Sequence, residues 1–150
     1  MAYSAMQVAN SFIQRAKDGA VTDLTPMKLQ KLMFFAQSWS LKETGYPLFD
    51  DFFSRWQYGP VIPSIYHEFK SFRDQPITSY GIDVFGNTVM VSEDDPQSWE
   101  LIDDIIKEYG EYSASQLSWM THQPKTAWSM NDILGTVITN LELFDILPCL

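Results

Sequence analysis

TPMKLQKLMFFAQSWSLKETG, residues 25–45, decides the fold. Thr25 is a helix-capping residue type, Pro26 suits the first helical position because its missing N–H would have no partner there, and Gly45 supplies a left-handed stop. Between these signals Leu29, Leu32, Met33, Ala36 and Trp39 fall in one stripe about 120° wide, an ordinary width for a core-facing side. Met27, Phe34 and Leu41, each a heptad after the last, form a second apolar seam on nearly the opposite side. A helix with two apolar sides is either sandwiched inside its own domain or in contact with another molecule. Lys28, Lys31 and Lys42 share a narrow sector with Phe35 and read as a solvated basic strip.

Working outward, Ser4 and Gln7 have capping-box spacing, and Ala5, Val8, Ala9, Phe12 and Ala16 recur at helical intervals before Gly19, so a first helix is expected over 4–18. On the other side, YPLFDDFFSRWQYGPV (46–61) is broken by Pro47 and two aspartates and reads as an irregular or short extended crossing. Gly59-Pro60 turns the chain and Pro63 launches a third helix with Ile62, Ile65, Tyr66, Phe69 and Phe72 on one face. IDVFGNTVMV (82–91) carries Gly86-Asn87 between β-branched arms and predicts a hairpin. Asp94 and Asp95 precede Pro96 at a helix start, and Trp99, Ile102, Ile105, Ile106 and Tyr109 continue its face to Gly110. Capping boxes at Ser113/Gln116 and Thr139/Glu142 predict helices over 114–122 and 140–147. The expectation is a mainly α fold, a compact bundle of about six helices with one small β-hairpin, in a single domain over 1–150.

The composition narrows function. Nineteen acidic residues against ten Lys plus Arg give a net charge of -9, which repels phosphate backbones and suits a basic partner. Ten Phe, seven Tyr and five Trp exceed what one small core requires, and such rings concentrate at protein interfaces. Cys149 has no second cysteine to pair with, no apolar run approaches a membrane span, and the start MAYSAMQ lacks a basic leader, so a cytoplasmic protein is expected.

Catalytic patterns are weak. His67 and His122 are the two histidines, and no H-E-x-x-H, C-x-x-C or glycine-rich phosphate loop occurs, so neither a metal nor a cofactor is expected. His122 beside Thr121 and Ser118 is the nearest approach to a nucleophile and base, but a histidine at a helix C-terminus more commonly satisfies the last carbonyls. The pairs Asp50-Asp51, Asp94-Asp95 and Asp103-Asp104 read as solvated faces, because adjacent residues do not face one another.

T-P-M-K-L-Q-K-L-M-F-F-A-Q followed by W-x-Y-G-P-V-x-P-x-x-Y resembles the Panacea domain, also called the SocA-like antitoxin domain, to which GepA-like phage proteins are similar. L-S-W-M-T-H (117–122) and Trp128 resemble a third family segment, with Ala127 where a proline is expected. The resemblance implies a binding module without catalytic activity, from a bacterium or prophage: an antitoxin that neutralises a cognate toxin encoded nearby by direct contact. The alternative it implies is a proteolysis adaptor delivering a client to an AAA+ protease such as ClpXP. Leu29, Leu32, Ala36, Trp56, Gly59, Pro60, Pro63, Tyr66 and His122 are expected to hold the fold. Met27, Gln30, Phe34, Gln37 and Leu41, with Tyr58, Trp119 and Trp128 as rim, are expected to meet the partner.

Overall fold

The structure, a computed structural model, describes residues 2–145 apart from residues 125 and 132. Helix α2 (Pro26–Thr44) forms as its sequence predicts: the Thr25 side chain accepts from the Lys28 N–H, and Gly45 adopts φ 78°. Thirteen of its 19 residues are buried, so it is apolar or enclosed almost all round. Five other helices pack against it: α1 (Ala5–Lys17), α3 (Pro63–Phe69), α4 (Pro96–Tyr109), α5 (Ala114–Thr121) and α6 (Asn140–Asp145). The two-sided seam is thus the sandwiched kind. Phe34 meets Phe53 edge-on at 5.4 Å and Phe35 stacks on Tyr109 at 4.1 Å, while Leu41 is likewise enclosed.

All three capping boxes form, at Ser4/Gln7, Ser113/Gln116 and Thr139/Glu142, and Asp95 caps α4 by accepting from the Ser98 N–H at 3.2 Å. The helix expected over 140–147 is seen to Asp145; residues 146 and 147, like Cys149, lie outside the described residues. Among the described residues no helix is long and apolar enough to cross a membrane.

The β element is small but differently sited. Strands β1 (Phe53–Trp56) and β2 (Gly59–Val61) form an antiparallel hairpin within the stretch expected to be an irregular or short extended crossing, and β3 (Val137–Ile138) pairs with β1 on its other side. The predicted 82–91 hairpin does not form a ladder. Asp83 Oδ1 accepts from the Phe85 and Asn87 N–H groups at 2.9 Å, and the arms attach to α1 instead. Buried Asn10 donates to the carbonyls of Gly81 and Val89 and accepts from the Gly81 N–H, and Ser11 Oγ accepts from the Val91 N–H. Helix side chains supply the partners that strand rungs would have supplied, leaving Val84 and Phe85 93% and 84% exposed at the tip.

Two glutamines expected to face a partner are internal clamps. Gln30 Oε1 accepts from the Ile62 N–H at 2.8 Å and its Nε2 donates to the Ile62 carbonyl at 3.1 Å. Gln37 accepts from the Leu48 and Phe49 N–H groups and donates to the Phe49 carbonyl at 2.8 Å. Each amide imitates a neighbouring strand for a segment that has none. Replacing Gln37 with Leu keeps the volume and orphans three buried backbone groups, so urea denaturation should show a loss of about 2 kcal/mol or more; an unchanged midpoint would show that water reaches those groups.

Candidate functional site

Three side chains hold the β1–β2 turn by its consecutive carbonyls. Trp128 Nε1 donates to the Trp56 carbonyl at 3.0 Å, His122 Nε2 lies 2.8 Å from the Gln57 carbonyl, and Ser118 Oγ donates to the Tyr58 carbonyl at 2.6 Å. His122 Nδ1 lies 2.6 Å from the Ser118 carbonyl, and its ring packs on Trp128 at 4.0 Å. The expected capping role of His122 is therefore seen, with a second tie to the hairpin. Both ring nitrogens lie against carbonyls, and the Thr121 hydroxyl, 3.4 Å from His122 Nδ1, donates to the Ser118 carbonyl at 2.7 Å, so this trio clips the end of α5 to the hairpin.

From beneath, α2 holds the same turn. Gly59 has φ 114°, and a Cβ there would lie 2.7 Å from Thr121 Oγ1 and 3.0 Å from Lys31 Cε, so glycine is required twice over. The expected basic strip is corrected: Lys28 and Lys31 are buried, and only Lys42 is half-buried at the side. Lys28 Nζ donates to the carbonyls of Gly110 and Thr22, reaching the unpaired end of α4. Lys31 Nζ donates to the Pro60 carbonyl at 3.2 Å, and burial pushes its pKa from 10.5 down to about 7.

Arg55 had no sequence signal beyond being a lone cation in an apolar stretch. It is fully buried, and its guanidinium donates to the carbonyls of Trp128, Ala127 and Val137 and to Thr136 Oγ1, and pairs with Glu142. It ties β1 to the 3-10 turn Trp128–Met130, to β3 and to α6. A buried cation with this many acceptors is satisfied, and removing any one partner would be costly.

These elements surround a groove of about 640 Å³. Met27, Trp56, Tyr58, Val61, Tyr66 and Leu134 form its apolar walls, with the Trp56 and Tyr66 rings edge-on at 5.0 Å. Buried Gln30, Lys31 and Arg55 lie at its floor, and exposed Lys70 and Arg73, at the ends of the 3-10 turn that follows α3, flank its mouth. Among the described lining residues there is no carboxylate. A second depression of about 370 Å³ has the opposite character, with Glu43, Asp95, Glu100 and Asp104 around Tyr3. There the Tyr3 hydroxyl donates to Asp95 at 2.6 Å; this bond lowers the carboxyl pKa, while burial and then the carboxylate raise that of the phenol.

The residues expected to bind a partner thus divide. Phe34, Gln37 and Leu41 are interior and do not line the groove, whereas Gln30, also buried, lies at its floor. Trp128 is half-buried as a staple beneath the hairpin. Met27 and Tyr58 lie on the groove, Tyr58 being 62% exposed, while Trp119 is 65% exposed on α5 but does not line it. Of the residues expected to hold the fold, Leu29, Leu32, Ala36, Gly59 and Pro60 are buried and Pro63 opens α3. Tyr66 differs: it is 39% exposed and, with half-buried Trp56, faces the groove. Among the described residues no three His, Cys, Asp or Glu side chains gather closely enough to hold a metal.

The architecture is that of a small mainly α domain whose enclosed central helix braces a largely buried β-hairpin, and the chain belongs to the antitoxin SocA-like, Panacea domain family, which matches residues 29–129. It is 33% identical over 145 residues to "Antitoxin SocA" of Caulobacter vibrioides (strain NA1000 / CB15N), an alignment that covers 93% of this chain and 74% of that protein. No solved structure matches. The matched span contains α2 from Leu29 onward, the hairpin and the Ser118–His122–Trp128 ties, and with them most of the residues that line the groove.

Lys31 gives the site a pH signature. Its pKa is depressed on folding, so between about 7 and 10.5 the unfolded chain carries a proton that the folded chain lacks. Its contribution to stability is greatest above 10.5 and is lost as pH falls toward 7, with a slope of about 1.4 kcal/mol per pH unit. Lys31→Met should flatten the rise in stability between neutral and alkaline pH and exceed the parent at pH 7 in urea denaturation; parallel profiles would show the amine to be hydrated.

Proposed function

We propose that the protein is the antitoxin of a toxin-antitoxin pair, acting in the cytoplasm as a non-enzymatic binding module that neutralises a cognate toxin encoded nearby through the groove between α2, the β1–β2 hairpin and α3. The observation that carries this reading is exposed Tyr58, on a turn fixed by side chains from two directions, facing the groove with exposed Tyr66 of α3, whose ring packs edge-on against Trp56. Rings held in place lose little freedom on binding, and aromatic anchors dominate interface energies. Membership of an antitoxin family and the printed name of the Caulobacter relative support the same role. Trp119 extends the candidate contact area along α5.

A second reading, in which the protein is an adaptor that delivers its client to an AAA+ protease such as ClpXP, requires two docking surfaces. Val84 and Phe85, exposed at a loop tip outside the groove, favour it.

Co-expression with the product of the neighbouring small gene tests both. Tyr58→Ala with Tyr66→Ala should leave the melting temperature within a few degrees and weaken toxin binding at least about 30-fold, enough to restore toxicity. Neutralisation that survives the double substitution would place the toxin surface elsewhere. Rescue that disappears in protease-deleted cells would transfer the role to the adaptor reading, whereas equal rescue would remove that reading.

A further inference from the structure

We propose that the groove takes a short extended segment of the partner protein in which an aliphatic or aromatic side chain is flanked by aspartate or glutamate, the apolar side chain entering between Trp56, Tyr58 and Tyr66 and the carboxylates meeting Lys70 and Arg73. This deepens the antitoxin reading and rests on it.

The first argument is the charge distribution. A chain of net charge -9 with ten Lys and Arg places four of them, Lys31, Arg55, Lys70 and Arg73, on one groove, and no carboxylate among the described residues lines it. The overall charge would draw in a basic partner, but the local potential at this groove opposes one. Complementarity of local patches, rather than net charge, selects what docks and in which register.

The second argument separates cations that are spent from those that are not. Arg55 has its guanidinium engaged by three carbonyls, a hydroxyl and Glu142, so it serves the fold. Glu142 also shows that this cationic region already accepts one carboxylate from within the chain. Lys70 and Arg73 are exposed and make no side-chain hydrogen bond or ion pair among the described residues. Lys31, below them, has a single carbonyl partner and no countercharge, and burial disfavours its charged form, a penalty that an anion in the groove would relieve.

The third argument is size and wall chemistry. A volume of about 640 Å³ is in the range of side-chain and small-ligand pockets and suits a few residues of extended chain. Aromatic faces also attract cations, but Lys70 and Arg73 at the mouth, unpaired among the described residues, oppose an Arg or Lys anchor. A nucleic acid would satisfy Lys70 and Arg73, yet its backbone must run on past the groove over a strongly acidic surface.

The test uses the full chain and fluorescein-labelled probes followed by anisotropy at about 0.15 M salt: a hexapeptide alternating Asp or Glu with Leu and Phe, its Lys-substituted counterpart, and a short oligothymidine. The acidic peptide should bind, and Lys70→Glu with Arg73→Glu should weaken it at least tenfold; Lys70→Gln with Arg73→Gln serves if the reversal perturbs the fold by near-UV circular dichroism. Equal or tighter binding of the lysine peptide or the oligothymidine, or no binding of the acidic peptide, overturns the proposal. The toxin assay separates this failure from that of the antitoxin reading. If Tyr58→Ala with Tyr66→Ala restores toxicity and the charge reversal does not, the groove binds the toxin but not through an acidic segment. If neither does, the toxin surface lies elsewhere, and the peptide titration still decides the occupant.

Discussion

The structure depends on the burial of a helix that is only partly apolar. Because five helices cover α2, its fully buried polar side chains need partners inside, where an unpaired group costs about 1–3 kcal/mol. Lys28, Gln30, Lys31, Gln37 and Ser40 meet this condition in one way: each reaches a backbone group outside α2, in a loop, at a helix end or, for Lys31, on the edge strand β2. The carbonyl of Gly110, both peptide groups of Ile62, the carbonyl of Pro60, the peptides of Leu48 and Phe49 and the carbonyl of Tyr46 are satisfied from one helix. The central helix is therefore both hydrophobic core and template for the loops around it.

That arrangement explains why a three-residue strand with a proline in it is stable. Pro60 cannot donate to a ladder, and β2 is an edge strand. Lys31 and Gln30 anchor it from one side, Thr121 closes over Gly59, and His122, Ser118 and Trp128 take the turn carbonyls from the other. Arg55 then joins the hairpin to α6 through Glu142. The Gly-Pro turn and the Leu-Ser-x-x-Thr-His segment, distant in the chain, are two halves of one joint.

Local signals were legible in the sequence because their physics is local. Caps at Ser4, Thr25, Asp95, Ser113 and Thr139 and the stop at Gly45 act within a few residues and read directly. Periodicity also placed Leu29, Leu32 and Ala36 correctly, but it assigns polar residues outward. It therefore turned Gln30, Gln37, Lys28 and Lys31 to the surface, when their long side chains cross the interior to reach carbonyls. The hairpin was sited at Gly86-Asn87 because that dipeptide is the stronger turn signal. What decided otherwise was Asn10, a helix residue about 70 positions away that captures the arms. Of the groove, Met27, Trp56, Tyr58 and Tyr66 stood out as motif residues, whereas Lys70, Arg73 and Arg55 join it only through tertiary placement.

Lys31 shows how stability and recognition compete at this site. An apolar side chain of similar length would avoid the desolvation that drives its pKa to about 7, so the fold carries an avoidable cost here, offset by the surrounding core. The same amine has a consequence at the surface. A carboxylate in its place, or beside it, would neutralise the floor of the groove and leave Lys70 and Arg73 as isolated rim charges, screened within about 8 Å at physiological salt. Beneath them Arg55 is already paired with Glu142, and Lys31, whose charged form burial disfavours, is the floor group that an incoming carboxylate would hold in its protonated form. Selectivity for an acidic, apolar segment thus follows from burying cations under rings, which is also what the enclosed central helix requires of its lysines.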